Sequence, residues 1–294
     1  MPITSNSTDG SVLAEIVLQI IKLSHDIGLN VAAVTSDMGS SNRAMWNKLG
    51  VVSSKDALVN CFAHPCVADS FVYVLADVPH LVKNLRNHVV NGQVITLPSY
   101  VVQRFSLPCS VVSVDPLKQL VDYQSDKDLK PAPKLGAKHL QPSHFDKMKV
   151  SNALNVFSHS VSAALQLVVE TENWDKSVLS TSWFIEIIDK WFNLMSSRHP
   201  VMALSLFDAD KHKQAVEFLN FVDLFRHIAI GNGVWKPVQA GIILSTMSVL
   251  QLQNKTSAAK KFQVCFNFQV FTGLFRKFVF LCASKKCSAH SIGV

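Results

Sequence analysis

A carboxylate at the end of a strand-like run is the clearest chemical signal in the chain. Residues 31–36 are small, apolar or β-branched, Asp37 follows them, and a Gly/Ser/Asn turn leads on to Asn42. This pattern predicts a buried strand with an acid at its C-terminal edge. Carboxylate oxygens there are suitable ligands for a divalent metal. A strand-end Asp also often caps the next helix, so the residues alone leave both roles open for Asp37.

The elements around Asp37 predict an α/β unit followed by a helical part. Apolar residues three or four apart predict a helix over residues 11–28, which Gly28 ends. Asp77 followed by Pro79 predicts a helix cap and a first helical turn. The complete set of predicted elements is a helix at 11–28, a strand ending at Asp37, a helix at 43–49, a strand at 71–76, and helices at 77–90, 148–169, 181–195 and 209–230.

Composition permits a globular protein with a nucleic-acid partner. The chain has 294 residues and 48% hydrophobic content, enough for one large or two medium domains. Its net charge of +7 allows phosphate binding without requiring it. Six dispersed cysteines and no signal-peptide pattern favour a reducing compartment. The apolar tail at 262–283 carries Arg276 and Lys277 near its middle, which disfavours a membrane span and favours a core strand or an aberrant C-terminus.

Eight ordered blocks of sequence carry a specific resemblance. They are TSDMGSSNRAMW (35–46), FAHP (62–65), ADVPHLVKNLRN (76–87), PKL (133–135), HFDKMKV (144–150), FS (157–158), DKWFNLMSSR (189–198) and GIILST (241–246). In this order, over about residues 11–250, they resemble the transposases of the P-element family, including the THAP-domain relatives.

The resemblance implies the architecture. Members of the family resemble RNase H-like integrases, with a mixed sheet that carries three acids for two Mg²⁺ ions and a helical GTP-binding domain inserted before the last acid. We therefore expect an α/β plus α fold, a partial RNase H-like mixed sheet with a mainly helical insertion. The implied units are the N-terminal part of the catalytic core without its first strands (1–96), a connection (97–130), the GTP-binding insertion (131–235), and a return to the core with a divergent tail (236–294).

The resemblance makes Asp37 the catalytic and metal-binding residue of this chain, in the place of the second family acid. The first acid belongs on a strand before residue 11, where only Asp9 is available, and residues 252–294 contain neither Asp nor Glu for the third. One carboxylate cannot hold the two ions that in-line displacement at phosphorus uses. We therefore expect no strand transfer by the chain as it stands. For Asp77 the interpretation as a helix cap is favoured over that of a substitute acid.

The nucleotide site is also implied by the resemblance, because no Walker P-loop is present. The positions carried over are Lys134, Lys149, Val150, Ser158, Asn193 and Ser196. Asn193 and Ser196 stand where the family has Asp and Asn, and losing the carboxylate is expected to weaken GTP binding. Asp189, one helical turn earlier, is expected at the surface. Without the resemblance, the sequence would indicate only that Lys134 and Lys149 are ordinary surface lysines.

Partners and location follow from the family as well. Lys83 and Arg86 either contact DNA phosphates or form a solvated basic helix face. The resemblance implies DNA as partner, oligomers with itself or related transposases, Mg²⁺ and GTP as cofactors, a nuclear location and no membrane. The leading hypothesis is a fragment of a transposase, or a degenerate copy, that is inactive alone. The alternative is a non-catalytic, transposase-derived protein that binds DNA or another protein.

Overall fold

The computed structural model describes residues 9–197, 209–258 and 279–284. The helices are α1 (Gly10–Asp26), α2 (Ser40–Lys48), α3 (Val78–Val90), α4 (Ser99–Arg104), α5 (Asp115–Tyr123), α6 (Ala137–Leu140), α7 (His144–Met148), α8 (Val150–Val156), α9 (His159–Thr171), α10 (Val178–Met195), α11 (Ala209–His227) and α12 (Pro237–Ala258). The strands are β1 (Leu29–Ser36), β2 (Val52–Ser53), β3 (Leu58–Val59), β4 (Cys61–Ala63), β5 (Phe71–Ala76), β6 (Ile95–Thr96), β7 (Val111–Val112), β8 (Ala229–Ile230) and β9 (Val279–Ser284).

A four-stranded mixed sheet, in the order β4-β5-β1-β9, forms the α/β part. The central strands β1 and β5 are parallel, with Ser36 opposite Ala76 at their C-terminal ends. Strands β4 and β9 run antiparallel to their neighbours. Because Val72–Ala76 and most of β1 are buried, these two strands form the centre of the core. The predicted mixed α/β fold is confirmed.

Helix α12 packs closely on the sheet because one position carries no side chain. A Cβ added at Gly241 would lie 2.5 Å from Leu81 Cδ2 and 3.0 Å from Met38 Sδ. The hydroxyl of Ser245 accepts the Ala76 N–H at 2.8 Å and donates to the Ala76 carbonyl. Ser248 donates to the Val74 carbonyl at 2.7 Å. The GIILST block therefore fastens α12 to the end of β5.

The helical part leaves and rejoins the α/β part at adjacent points. Strand β6 lies between β7 and β8, and Ile95 pairs with Ile230 while Thr96 pairs with Ala229. The intervening chain contains α4 to α11, among which α9 and α10 pack together. Trp191 on α10 donates to Thr246 on α12 at 2.9 Å, which ties the two parts together.

Two predicted helices differ from the structure. The helix predicted at 148–169 is broken into α8 and α9, because Ser158 accepts the Val161 N–H and begins a new helix. The helix predicted at 209–230 ends at His227, and β8 follows. The tail prediction at 262–283 falls largely outside the described residues, as does the N-terminal segment before Asp9, but residues 279–283 lie in β9. Among the described residues, no helix is long and apolar enough to cross a membrane.

Candidate metal and nucleotide sites

Each of the two central strands is followed directly by an aspartate. Asp37 follows β1 and Asp77 follows β5, and both are half-buried. The Asp77 N–H donates to the Ser36 carbonyl at 2.8 Å, so the two backbones are still paired at this point. The parallel register thus brings two acids from distant parts of the sequence to one edge of the sheet.

The Asp37 carboxylate is oriented by its own turn. Its Oδ1 accepts the Gly39 N–H at 2.8 Å and the Asn42 side-chain amide at 2.7 Å. Asn42 is itself 3% exposed. A Cβ at Gly39 would lie 2.8 Å from Asp37 Oδ1, so a larger residue there would displace this carboxylate oxygen. These contacts use Oδ1, and Oδ2 accepts no hydrogen bond in the described part of the chain.

Asp77 stands at the N-cap position of α3, as predicted, but its side chain makes no capping hydrogen bond. An N-cap side chain accepts from the second or third residue of the helix, and here the second is Pro79, which has no N–H. The carboxylate instead contacts the His80 imidazole, with Asp77 Oδ2 at 3.3 Å from Nδ1. Asp77 is therefore the N-cap residue of α3 as predicted, although its carboxylate accepts no hydrogen bond from the backbone of the first turn.

The chemistry of the two acids suits one magnesium ion. Mg²⁺ keeps several waters and takes one or two protein carboxylates. Asp37 and Asp77 each have one oxygen that accepts no hydrogen bond from the residues that the structure describes. In the described ranges, no group of three or more His, Cys, Asp or Glu is placed to hold a metal. The residues in place therefore suit a single hydrated cation, and a two-ion site needs additional ligands.

Three residues that support this edge were missed by the sequence reasoning. Asn42 orients Asp37, Ser245 holds the last residue of β5, and Gly241 lets α12 approach Met38. A signal was available for Ser245, since small hydroxyl residues interrupt the apolar run of α12. Nothing in the spacing indicates that Asn42 turns its amide back toward Asp37.

The predicted nucleotide residues lie around α8, α9 and the end of α10. Lys149 precedes α8, is exposed, and pairs with Asp146 at 3.4 Å, while Val150 is the first residue of α8. Ser158 is the N-cap of α9. Lys149 and Ser158 thus stand at opposite ends of a seven-residue helix, about 10 Å apart along its axis. An elongated ligand is needed to contact both.

The structure brings Asp189 into this region, where sequence predicted a surface residue. Asp189 is half-buried, accepts a hydrogen bond from the His159 backbone N–H, and accepts the Asn193 amide at 3.1 Å. Burial raises the pKa of the Asp189 carboxyl above its ordinary value, while the nearby His159 opposes that rise. The expectation of a solvated surface Asp is wrong, because α10 packs against the start of α9.

The other predicted nucleotide residues, Lys134 and Ser196, make fewer contacts. Lys134 is exposed between α5 and α6. The Ser196 hydroxyl donates to the Phe192 carbonyl at 2.6 Å, at the end of α10. Asp189 links Asn193 to the start of α9 next to Ser158, and in the described part of the chain Lys134 forms no side-chain hydrogen bond or ion pair with these residues.

Arg86 does not lie on an exposed basic face. Its side chain has no exposed area, and Nη2 donates to the Lys147 carbonyl on α7 at 3.2 Å. Burial lowers the pKa of this guanidinium, while Asp146 opposes the shift. The prediction that Arg86 contacts DNA phosphates is wrong, since the residue joins α3 to α7. Lys83 on the same helix is half-exposed.

Comparisons with family models match two segments of the chain. Residues 2–50 match the family described as "TNP-like, RNase H N-terminal domain". Residues 79–205 match the family described as "TNP-like, GTP-binding insertion domain". The first segment ends just beyond α2 and contains Asp37, and the second begins at the start of α3.

Curated relatives and a solved structure point in the same direction. The chain is 24% identical over 179 residues to Transposable element P transposase of Drosophila melanogaster, covering 61% of this chain and 22% of that protein. It is 27% identical over 198 residues to human DNA transposase THAP9, covering 66% of this chain and 20% of that protein. The chain thus spans about a fifth of the length of these relatives. The fold is similar to that in the Drosophila P element transposase strand transfer complex, with a TM-score of 0.71 at 21% identity over 85% of this chain and 54% of that one.

Proposed function

We propose that this chain, a homologue of the P element and THAP9 transposases, supplies part of an RNase H-like DNA-processing core together with a GTP-binding insertion domain. The match to both TNP-like families and the fold similarity support the assignment at the level of the family. Reaction, cofactors and partners are the further parts of the proposal.

The observation that carries the proposal is the pair of acids at the ends of β1 and β5. Asp37 and Asp77 come together through the parallel register, and Gly39 and Asn42 orient the first of them. A divalent cation bound there would polarise a DNA phosphate and stabilise charge during displacement at phosphorus. Asp37 is the principal ligand in this proposal, and Asp77 is an auxiliary one kept in place by His80.

The proposed nucleotide is GTP, bound near the start of α9. The Ser158 hydroxyl and the N-terminus of α9 offer donors to a phosphate, and Lys149 adds a positive charge. Asn193 supplies an amide where the family has a carboxylate, so it can hold the nucleotide but contributes no charge toward a bound Mg²⁺. We therefore expect weak GTP binding.

DNA is the proposed macromolecular partner, and the nucleus is the proposed location. The net charge of +7 favours association with a polyanion. Self-association, or association with related transposases, belongs to the same proposal through the family. Since the residues present offer a single-cation site, we propose that the chain alone binds DNA and a cation but does not complete strand transfer.

The test compares DNA binding and nicking by the wild type, Asp37→Asn and the control Asp56→Asn, in which an exposed acid is changed. Fluorescence anisotropy with a duplex is measured in Mg²⁺ and in EDTA, and nicking is followed on supercoiled plasmid. We expect Mg²⁺ to strengthen wild-type and Asp56→Asn binding, because a cation held by Asp37 would attract a DNA phosphate, and to have little effect on Asp37→Asn.

Two other results decide against the proposal. If the DNA affinity is changed neither by Mg²⁺ nor by Asp37→Asn, the result supports the non-catalytic DNA-binding alternative. No DNA binding at any Mg²⁺ concentration rejects the DNA-processing role for this chain.

A further inference from the structure

A cleft of about 390 Å³ lies along the C-terminal half of α3, between this helix, Met38 and the start of α12. One wall is a face of α3, the second is Met38, and the third is the start of α12 at Pro237 and Val238. Met38 follows Asp37 directly in the chain, and α3 begins directly after Asp77. Met38 therefore connects the cleft to Asp37, and α3 connects it to Asp77.

The wall on α3 is a continuous polar stripe. Asn84, Asn87, His88 and Asn91 recur at intervals of three and four residues, which places them on one face of the helix. Asp77 and His80 precede them at the same spacing. Asn84 lies seven residues after Asp77, about 10 Å along the helix axis. The stripe thus leads from the acid edge into the cleft.

The cleft presents unused amide groups and no charge. Asn84 and Asn91 make no side-chain hydrogen bond to the residues that the structure describes. Asn87 Oδ1 is buried and has no partner there. His88 Nδ1 is joined to Gln93 Oε1 at 2.7 Å, and none of the described lining residues is Asp, Glu, Lys or Arg. Because a buried amide oxygen without a partner is unfavourable, this surface suits a neutral ligand rich in donors and acceptors.

We propose that this cleft binds an unpaired base of the DNA whose phosphate lies at Asp37 and Asp77. The inference rests on the proposed function and adds a base subsite to it. Asn amides pair with the donor and acceptor edges of bases, and the Met38 thioether can contact the face of a base. The described lining contains no Lys or Arg that would neutralise a phosphate, which favours a base over a phosphate as the occupant. A base inside a duplex cannot enter such a cleft, so the base must be unpaired.

The test uses the full chain and two short duplexes, one fully paired and one with two mismatched bases that carry 5-iodouracil. Anisotropy measures affinity, and ultraviolet crosslinking followed by mass spectrometry identifies the contacted peptide. The variants are Asn84→Leu and Asn91→Leu, and the control is Asn47→Leu on the exposed face of α2. We expect the wild type and Asn47→Leu to prefer the mismatched duplex by at least about fivefold, the lower end for one amide–base pair. In the two cleft variants we expect nearly equal affinity for the two duplexes. Wild-type crosslinks should map to Met38 or His88.

The outcomes separate this inference from the proposed function. Equal affinity for both duplexes, with crosslinks outside the cleft, overturns the base subsite and leaves the DNA-processing role standing. If neither duplex binds, the DNA-processing role fails. Crosslinking with free 5-iodo-2′-deoxyuridine then tests separately whether the cleft binds a base. A crosslink at Met38 or His88 supports a base subsite, and its absence overturns it.

Discussion

At the scale of single residues, the central feature is an acid whose orientation is fixed by its neighbours. Asp37 Oδ1 is held by the Gly39 N–H and the Asn42 amide. Groups that orient a metal-binding carboxylate contribute to affinity almost as directly as the ligand does. The sequence indicated Asp37 from the strand and turn pattern, but the role of Asn42 depends on how the turn closes.

Asn42→Ala tests this orientation. We expect divalent-cation affinity to fall about tenfold, the usual cost of losing a group that orients a ligand, because Asp37 Oδ1 keeps only the Gly39 contact. Isothermal titration with Mn²⁺ measures the affinity. Asn47→Ala, on the exposed face of the same helix, should leave it unchanged. Equal affinities in both variants would show that Asn42 has no part in the site.

Asp189→Asn tests the raised pKa of a half-buried carboxyl. Burial raises the pKa of Asp189 in the folded state, so the folded chain holds this proton more tightly than the unfolded one, whose pKa is about 3.9. Asp189 therefore lowers the free energy of unfolding as pH rises through the window between the two values. Asparagine keeps an acceptor for the His159 N–H and removes the charge.

We expect Asp189→Asn to match or exceed the wild-type free energy of unfolding at pH 7, and to lose that advantage at pH 3.5. Urea titrations at both pH values measure it. Asp175→Asn is a control of opposite sign, since hydrogen bonds from Ser177 lower the pKa of the Asp175 carboxyl, so this variant should lose stability at pH 7. A loss of stability in Asp189→Asn at pH 7 would mean that the charge itself is needed.

At the scale of elements, α12 determines the geometry of the acid edge. Gly241 permits its close approach, Ser245 holds the last residue of β5, and Thr246 accepts the Trp191 indole N–H from α10. The sequence presented GIILST as a family block without a structural reason. The reason is tertiary, because Gly241, Ser245 and Thr246 each contact a residue at least fifty positions away in the chain.

Ser245→Ala tests the link between α12 and β5. Removing the hydroxyl leaves the Ala76 N–H and carbonyl without their side-chain partner, and we expect a loss of about 1–3 kcal/mol in the free energy of unfolding. Ser160→Ala, at an exposed position in α9, should change it little. Urea denaturation followed by circular dichroism measures both. Equal stability of the two variants would remove Ser245 from the account.

Helix boundaries show where local patterns are overridden. The apolar periodicity across residues 148–169 is continuous, yet Ser158 begins a new helix and Phe157 is buried. The sequence around Arg86 predicts an exposed basic helix face, yet Arg86 is buried against α7. Helical periodicity identified the elements, while the breaks and the buried charge depend on contacts between helices.

At the scale of the whole molecule, two parts meet along α3. This helix begins at the acid edge, lines the polar cleft, and holds α7 of the helical part through Arg86. The mixed α/β core and the helical insertion could be predicted from the family blocks. The pairing of Asp37 with Asp77 could not, because it requires the parallel register of β1 and β5.

The most direct measurement is Mn²⁺ binding by electron paramagnetic resonance, with the wild type, Asp37→Asn, Asp77→Asn and the control Asp56→Asn. The account predicts one bound ion in the wild type and in Asp56→Asn, a strongly weakened site in Asp37→Asn, and a smaller loss in Asp77→Asn. Wild-type affinity in Asp37→Asn would contradict the claim that the ends of β1 and β5 form the metal site.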